Sequence, residues 1–286
     1  MKIALLGTGL LGAEIAKRLF QQQMDITVWN RTAEKLQPLA ALGIPVAATA
    51  AQAIAMTDVT ILMLADAPAI REILFAESTG TTLAGKTIIQ MGTIAPQESQ
   101  TLAAEIQAMG GDYLEAPVLG SLGEAQQGNL IVMVGGQSAQ FAQWQPIFQH
   151  LGQDVRFIGN VGQAAALKLA LNQLIGSLTV AFSLSLGIVQ KQGIDVNIFM
   201  ELLRNSALYA KTFDKKLDRM LQRDFTAPNF PTQHLLKDVR LILATAQQLD
   251  LRTEALQGVA ILAENAVNSG DALLDYSAIF NAVVPR

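Results

Sequence analysis

The chain of 286 residues contains no cysteine. That excludes a disulfide framework, a thiolate nucleophile and any cysteine-ligated zinc or iron–sulfur centre. Only two histidines are present, His150 and His234, too few for a His-rich metal site, and no metal is expected. Charged residues make up 15%, with a net charge of -4 and a pI near 5.2, so the electrostatic footprint of a nucleic-acid binder is missing. Met1-Lys2 leads directly into an apolar run and glycines, without a small-residue cleavage site, and a cytoplasmic location is expected. The longest apolar stretch, Leu169–Val189, is interrupted by Asn172, Gln173, Ser177, Thr179, Ser183 and Ser185 and preceded by Lys168. Such groups would each cost roughly a few kcal/mol in hydrocarbon, so the stretch is expected to be a buried helix between domains rather than a membrane span. What is abundant is apolar material: 51% of residues are hydrophobic and mean hydropathy is +0.32. That is too apolar for disorder and ample for a large core.

The chain has two rhythms. Up to about residue 160, short β-rich runs alternate with helical stretches. The runs are Lys2–Leu6, Ile26–Trp29, Val59–Leu64, Thr87–Gln90, Tyr113–Glu115, Leu130–Gly135 and Val155–Phe157. Gly12–Gln22, Ala33–Leu42, Ala67–Phe75 and Gln97–Met109 fit helices between them. This alternation predicts a doubly wound, mostly parallel sheet. From Gly162 onward the β-rich runs vanish, and helices are predicted over 163–190, 195–205, 210–222, 232–248 and 253–268. The expected fold is therefore α/β: a Rossmann-type domain over 1–161, then an all-α domain over 162–286, joined by a long helix.

Gly7-Thr8-Gly9-Leu10-Leu11-Gly12 follows the first strand and opens the first helix. In that context Gly7 permits the tight turn, Gly9 lets backbone approach a pyrophosphate, and Gly12 allows close helix–strand packing. The helix N-terminus offers N–H groups and a positive dipole end to phosphates. A dinucleotide site is expected. After the second strand stand Asn30-Arg31-Thr32, where an NAD enzyme places a carboxylate on the ribose 2′-OH. No carboxylate is there to repel a 2′-phosphate, and Arg31 can pair with one, so NADP(H) is expected over NAD(H). A solvated surface arginine is the alternative.

At the start of the second half, Gly162-Gln163 leads into the helix carrying Lys168 and Asn172. Four residues apart, these share a helical face about 6 Å apart along the axis. A lysine there can donate a proton to a carbonyl under reduction, with Asn172 bonding the substrate oxygen or orienting the ammonium. A snorkelling lysine beside a structural amide accounts equally well for the pair.

Taken together, Gly7–Gly12, Met63-Leu64, Gly92-Thr93-Ile94-Ala95-Pro96, Glu115-Ala116-Pro117-Val118, Gly162-Gln163 with Lys168 and Asn172, Lys237-Asp238 and Gly270-Asp271 through Asp275 run in order along nearly the whole chain. The set resembles the β-hydroxyacid dehydrogenase family. The resemblance implies Lys168 as catalytic acid/base with Asn172 beside it. It implies Met63, Leu64, Thr93 and Lys237 on the nicotinamide side, and Gly120 and Ser121 in a substrate loop. Phe230-Pro231-Thr232-Gln233-His234-Leu235-Leu236-Lys237-Asp238 looks most like the glyoxylate and succinic semialdehyde reductases of the family, which implies Phe230 and Asp238 in the substrate pocket. Two departures stand out: Leu119 replaces the usual Ser and Leu171 a second Asn. Loss of the serine hydroxyl shifts recognition of a substrate carboxylate toward backbone N–H groups around Gly120-Ser121.

The implied activity is NADPH-dependent reduction of a small aldehyde or keto acid, such as succinic semialdehyde or glyoxylate, with the proton from Lys168. A 3-hydroxyisobutyrate-type dehydrogenase working in the oxidative direction and a catalytically idle NADP-binding sensor are the alternatives. The short-chain dehydrogenase pattern is excluded, because neither Tyr113, Tyr209 nor Tyr276 is followed four residues later by Lys. The expected partners are a small-molecule carbonyl or hydroxy acid and further copies of the chain in a homodimer or homotetramer, with no nucleic acid and no membrane. His150 is expected to be structural, His234 either structural or functional, and at least one of Asp271 and Asp275 a helix cap.

Overall fold

The computed structural model describes residues 1–75 and 83–285. They form two compact units, Met1–Leu169 and Ala170–Arg286.

The first unit is built on an eight-stranded sheet: β1 (Lys2–Leu6), β2 (Asp25–Trp29), β3 (Val59–Leu62), β4 (Thr87–Gln90), β5 (Asp112–Glu115), β6 (Val118–Leu119), β7 (Ile131–Gly135) and β8 (Asp154–Gly159). Their order is β2-β1-β3-β4-β5-β7-β6, with β8 paired to β7. The first five strands run parallel. β7 runs antiparallel to β5 and β6 and parallel to β8. Alternation along each strand serves two cores. Ile3, Leu5, Ile61, Ile89 and Leu114 point to one face, while Ala4, Leu6, Leu62, Ile88 and Tyr113 point to the other. Strands covered on both sides have no polar face to show, which is why β3 and β4 are buried throughout.

The helix Leu10–Gln21 packs Ile15, Ala16 and Leu19 onto the sheet, a spacing that fits one helical stripe. Asp66 caps the helix Ala67–Leu74 through the Ala69 N–H at 2.9 Å, and Glu98 reaches back to the Ala95 N–H at the start of Pro96–Ala108. The expected helix Ala33–Leu42 is instead a 3₁₀ turn, Ala33–Leu36, followed by a short helix, Gln37–Ala41. Pro38 near the start of that short helix supplies no N–H to continue from the turn. Helices Ala50–Ala55, Leu122–Gln127 and Ser138–Leu151 lie where the sequence pattern predicts none.

In the second unit no strand is found among the described residues. The long helix Gln163–Lys191, which begins in the first unit, is followed by Val196–Arg204, Lys211–Gln222, Thr232–Gln248, Glu254–Ala266 and Ile279–Val283. Phe182, Leu186, Met200, Phe213, Met220, Phe225, Phe280 and Val284 form the core, with the Phe182 and Phe213 rings stacked at 4.6 Å. The long helix is long and apolar enough to cross a membrane by length and composition. Two of its hydroxyls are answered locally: Thr179 donates to the Ile175 carbonyl and Ser183 to that of Thr179.

Candidate active site

The glycine turn is built by close approaches that only glycine allows. Gly7 has φ +101°, and a Cβ there would lie 2.4 Å from the Met63 carbonyl oxygen. A Cβ on Gly12 would lie 2.0 Å from the Gly7 carbonyl oxygen. Gly9 differs, because nothing lies within 4 Å of where its Cβ would be. It is the N-cap of Leu10–Gln21, no side chain caps that helix, and its first turn carries no acidic residue. The first intrahelical bond runs from the Ala13 N–H to the Gly9 carbonyl, so the preceding N–H groups have no partner within the helix. Beside them the Thr8 hydroxyl oxygen is buried without a hydrogen-bond partner. An open approach over Gly9, unspent N–H groups and an orphaned hydroxyl together fit the pyrophosphate of a dinucleotide.

The surrounding loops converge on this turn. Met63 donates its N–H to the Leu6 carbonyl at 2.8 Å, and the Leu64 side chain lies 3.1 Å from the position of a Gly7 Cβ. After β4, the Gln90 carboxamide both accepts from the Gly92 N–H and donates to the Gly92 carbonyl. A Gly92 Cβ would lie 2.6 Å from the Leu64 carbonyl oxygen. Thr93, half-buried, follows directly. Asn30 ties β2 to the turn: its Oδ1 accepts from the Thr8 N–H at 3.0 Å and its Nδ2 donates to the Thr32 carbonyl at 3.0 Å. Arg31 is highly exposed and loosely paired with exposed Glu72 at 3.6 Å, a carboxylate neighbour not foreseen from sequence. Thr32 makes no side-chain cap bond.

Beyond β6, Gly120 has φ +144°, and a Cβ there would lie 2.6 Å from Leu130. Ser121 precedes the helix Leu122–Gln127, and its N–H is taken by the Glu124 carboxylate at 2.9 Å. Its hydroxyl is buried and unpartnered. The group left for a ligand is thus the Ser121 hydroxyl rather than its backbone N–H.

Lys168 and Asn172 are both buried on the long helix, at 9% and 2% exposure. In the second unit the Asn172 Nδ2 donates to the Asp238 Oδ2 at 2.7 Å. A carboxylate only accepts, so the amide's orientation is fixed, and the Asn172 Oδ1 remains buried without a partner. Lys237 Nζ lies 3.0 Å from the other Asp238 oxygen. Phe230 stacks on His234 at 6.3 Å and meets the Tyr276 ring edge-on at 5.9 Å. Asp275 N-caps the turn Tyr276–Ala278, as expected for one of the two aspartates, and is also paired with buried Lys216 at 2.8 Å.

The sequence marked Glu115 only as part of the Glu115-Ala116-Pro117-Val118 motif and gave it no role. The buried Glu115 Oε1 accepts from the N–H groups of Gly162, Ala164 and Ala165 at 2.9, 2.8 and 3.0 Å. Its Oε2 accepts from the Ser99 hydroxyl, which lies 2.7 Å from the Tyr113 Oη. Burial pushes the Glu115 carboxyl above its ordinary value, while Ser99 and the three amides pull it partly back. Beyond that motif, the signal in the sequence was a carboxylate closing a buried strand.

Comparison with known proteins places this geometry. Residues 2–159 match the family described as the NAD binding domain of 6-phosphogluconate dehydrogenase. Residues 162–283 match that described as the NAD-binding domain of NADP-dependent 3-hydroxyisobutyrate dehydrogenase. The chain is 32% identical to 2-hydroxy-3-oxopropionate reductase of Escherichia coli, covering 99% of this chain and 97% of the relative. It is also 32% identical to glyoxylate/succinic semialdehyde reductase 1 of Arabidopsis thaliana, covering 99% and 98%. The fold matches 3-hydroxyisobutyrate dehydrogenase from Salmonella typhimurium with a TM-score of 0.88, 22% identity, and coverage of 98% and 99%. The chain belongs to the β-hydroxyacid dehydrogenase family and is an NAD(P)-dependent oxidoreductase.

Proposed function

We propose that the protein reduces a small aldehyde or keto acid, such as succinic semialdehyde or glyoxylate, to the hydroxy acid, with NADPH preferred over NADH. The observation that carries this reading is the buried pair Lys168 and Asn172 one helical turn apart, the amide held by Asp238. NADPH, when bound, supplies the hydride to the carbonyl carbon. Thr8, Gly9, Leu10 and Leu11 would hold its pyrophosphate and Arg31 and Thr32 its 2′-phosphate, and the family resemblance assigns Met63, Leu64, Thr93 and Lys237 to its nicotinamide end. Lys168 transfers a proton from Nζ to the carbonyl oxygen as charge develops there. One N–H of the Asn172 amide is given to Asp238, and its Oδ1 is left as an acceptor. Its Oδ1 accepts from the Lys168 ammonium through a proton that is not transferred. Gly120 lets the loop turn, and the unpaired Ser121 hydroxyl binds the substrate carboxylate. Phe230 walls the pocket, and Asp238 keeps the amide in place.

Exposed apolar side chains on the long helix, Leu174, Leu184 and Ile188, support packing against a second copy in a homodimer or homotetramer.

The test is consumption of NADPH with each aldehyde, comparing the native protein with Lys168→Ala. Removal of a general acid lowers turnover by about 10²–10⁴-fold, and NADPH affinity is expected to stay unchanged. A variant that turns over at the native rate overturns the mechanism. A native protein that binds NADPH tightly but reduces neither aldehyde, nor any of a wider panel, overturns the reductase reading.

A further inference from the structure

We propose that Glu115 is a positioning residue for this reaction: from the end of β5 its carboxylate clamps the first turn of the Lys168 helix and so sets where the acid stands. The inference rests on the reading of Lys168 as that acid.

A helix start must find partners for its first N–H groups, and the cheapest solution is a local Ser, Thr, Asp or Asn at the N-cap. This helix has none. Gly162 occupies that place with φ +98°, and the Gln163 side chain turns backward to accept from the Asn160 N–H at 2.7 Å. The cap comes instead from Glu115, a residue distant in sequence, whose single oxygen takes three of the helix's N–H groups. Its other oxygen is held by Ser99, and Ser99 in turn by Tyr113. All three side chains are buried. The backbone closes around them as well, since a Cβ on Gly135 would lie 2.5 Å from the Glu115 Oε1. The carboxylate therefore has no freedom to shift, and neither has the turn it holds.

Lys168 follows Ala165, the last clamped residue, by three positions, so it stands within one turn of the clamp. Any slip in the height or rotation of that first turn passes to Lys168 undiminished. Misplacement of a reacting group by about 1 Å can cost on the order of 10²-fold in rate. A cap that served only stability would be blind to such displacement. This one ties the acid to the end of β5, a strand paired on both sides in the sheet.

The test compares Glu115→Ala, Glu115→Gln and Glu115→Asp. In Glu115→Ala the clamp is gone, and kcat is expected to fall about 10–100-fold, with KM for the aldehyde and Kd for NADPH within about twofold of native. Glu115→Gln restores an oxygen that can accept the three N–H groups, and Ser99 can turn to accept from the carboxamide, so this variant is expected to recover most of the lost rate. Glu115→Asp, one methylene shorter, draws the turn out of place and lowers kcat without raising KM. Amide hydrogen exchange gives a readout independent of turnover: Gly162, Ala164 and Ala165 exchange about tenfold or more faster in Glu115→Ala, and near the native rate in Glu115→Gln. A folded Glu115→Ala protein with native kcat overturns the proposal. If that variant does not fold, native kcat in Glu115→Asp overturns it. Lys168→Ala separates the two claims. Full activity there removes the acid itself, whereas an inactive Lys168→Ala beside a fully active Glu115→Ala removes only the clamp.

Discussion

Breaking the buried ion pair between Lys216 and Asp275 should unfold the second unit more readily and disturb Phe230. Asp275 is 0% exposed and the Lys216 side chain 8%. The ammonium contacts both carboxylate oxygens, at 2.8 and 2.9 Å, and lies 4.4 Å from the centre of the Tyr276 ring. In Lys216→Met the carboxylate keeps the Ser277 hydroxyl at 2.7 Å and the N–H groups of Ser277 and Asn229, each at 3.2 Å. Leaving one partner of a buried pair alone costs about 3–5 kcal/mol. The three surviving donors place this case at the lower end, about 3 kcal/mol. That equals about 100-fold in the folding equilibrium, or roughly 6–12 °C in Tm at about 2–4 °C per kcal/mol for a chain of this size. Chemical denaturation and calorimetry read both numbers. Adding Asp275→Asn to Lys216→Met removes the stranded charge and should return much of the loss. Because Asn229 donates to Asp275 and the Phe230 carbonyl accepts from the Tyr276 N–H at 2.9 Å, KM for the aldehyde should rise as well. A Lys216→Met protein within about 1 kcal/mol of native, or a double variant less stable than the single one, would refute the reasoning.

Arg31→Ala should weaken NADPH binding by about 10–100-fold, the worth of a hydrogen bond to a charged group, and leave NADH binding unchanged; parallel titrations of the two cofactors check it. Asp238→Ala strands the Asn172 amide at a cost of about 1–3 kcal/mol and frees it to turn, so kcat should drop while NADPH Kd holds, as steady-state kinetics and a binding titration would show. Stability against pH should carry two opposed slopes. Burial works against the Asp275 carboxylate, but Lys216 and Ser277 outweigh it and hold the carboxyl below its ordinary 3.8. Its contribution is therefore complete above that value and lost as pH falls through the folded one. Glu115, raised above its ordinary 4.5 mainly by burial, contributes most below 4.5 and loses that contribution as pH rises through its folded value. Denaturation curves of Asp275→Asn and Glu115→Gln across the acid range should each lack one of these slopes.

What was legible in the sequence was local. The glycine turn could be read because its spacing falls within six consecutive residues, and Gly7 and Gly12 stand where a Cβ would collide with backbone. The parallel strands could be read because burial on both faces leaves unbroken apolar runs. The helix Ser138–Leu151 escaped notice because Pro146 and its glutamines break the apolar stripe, although the helix runs through the proline. The antiparallel turn of the sheet at β5, β6 and β7 also escaped, since Val118–Leu119 is too short to show a period and its pairing is settled by Ile131 and Val132.

The same division runs through the candidate site. Lys168 and Asn172 announce themselves by polar chemistry inside an apolar helix. Nothing near them says what fixes that helix, because its own start offers only a glycine. Two buried carboxylates bond to the helix. Glu115 takes N–H groups at the first turn, and Asp238 takes the amide of Asn172. A buried carboxylate is costly unless its donors are in place, so it enforces the geometry around it more strictly than apolar packing does. Two such anchors bracket Lys168 along the helix. Placing an acid and its acceptor to the tolerance that proton transfer requires takes partners far away in sequence: the family resemblance marked Glu115 and Asp238, but only the fold shows which groups they hold.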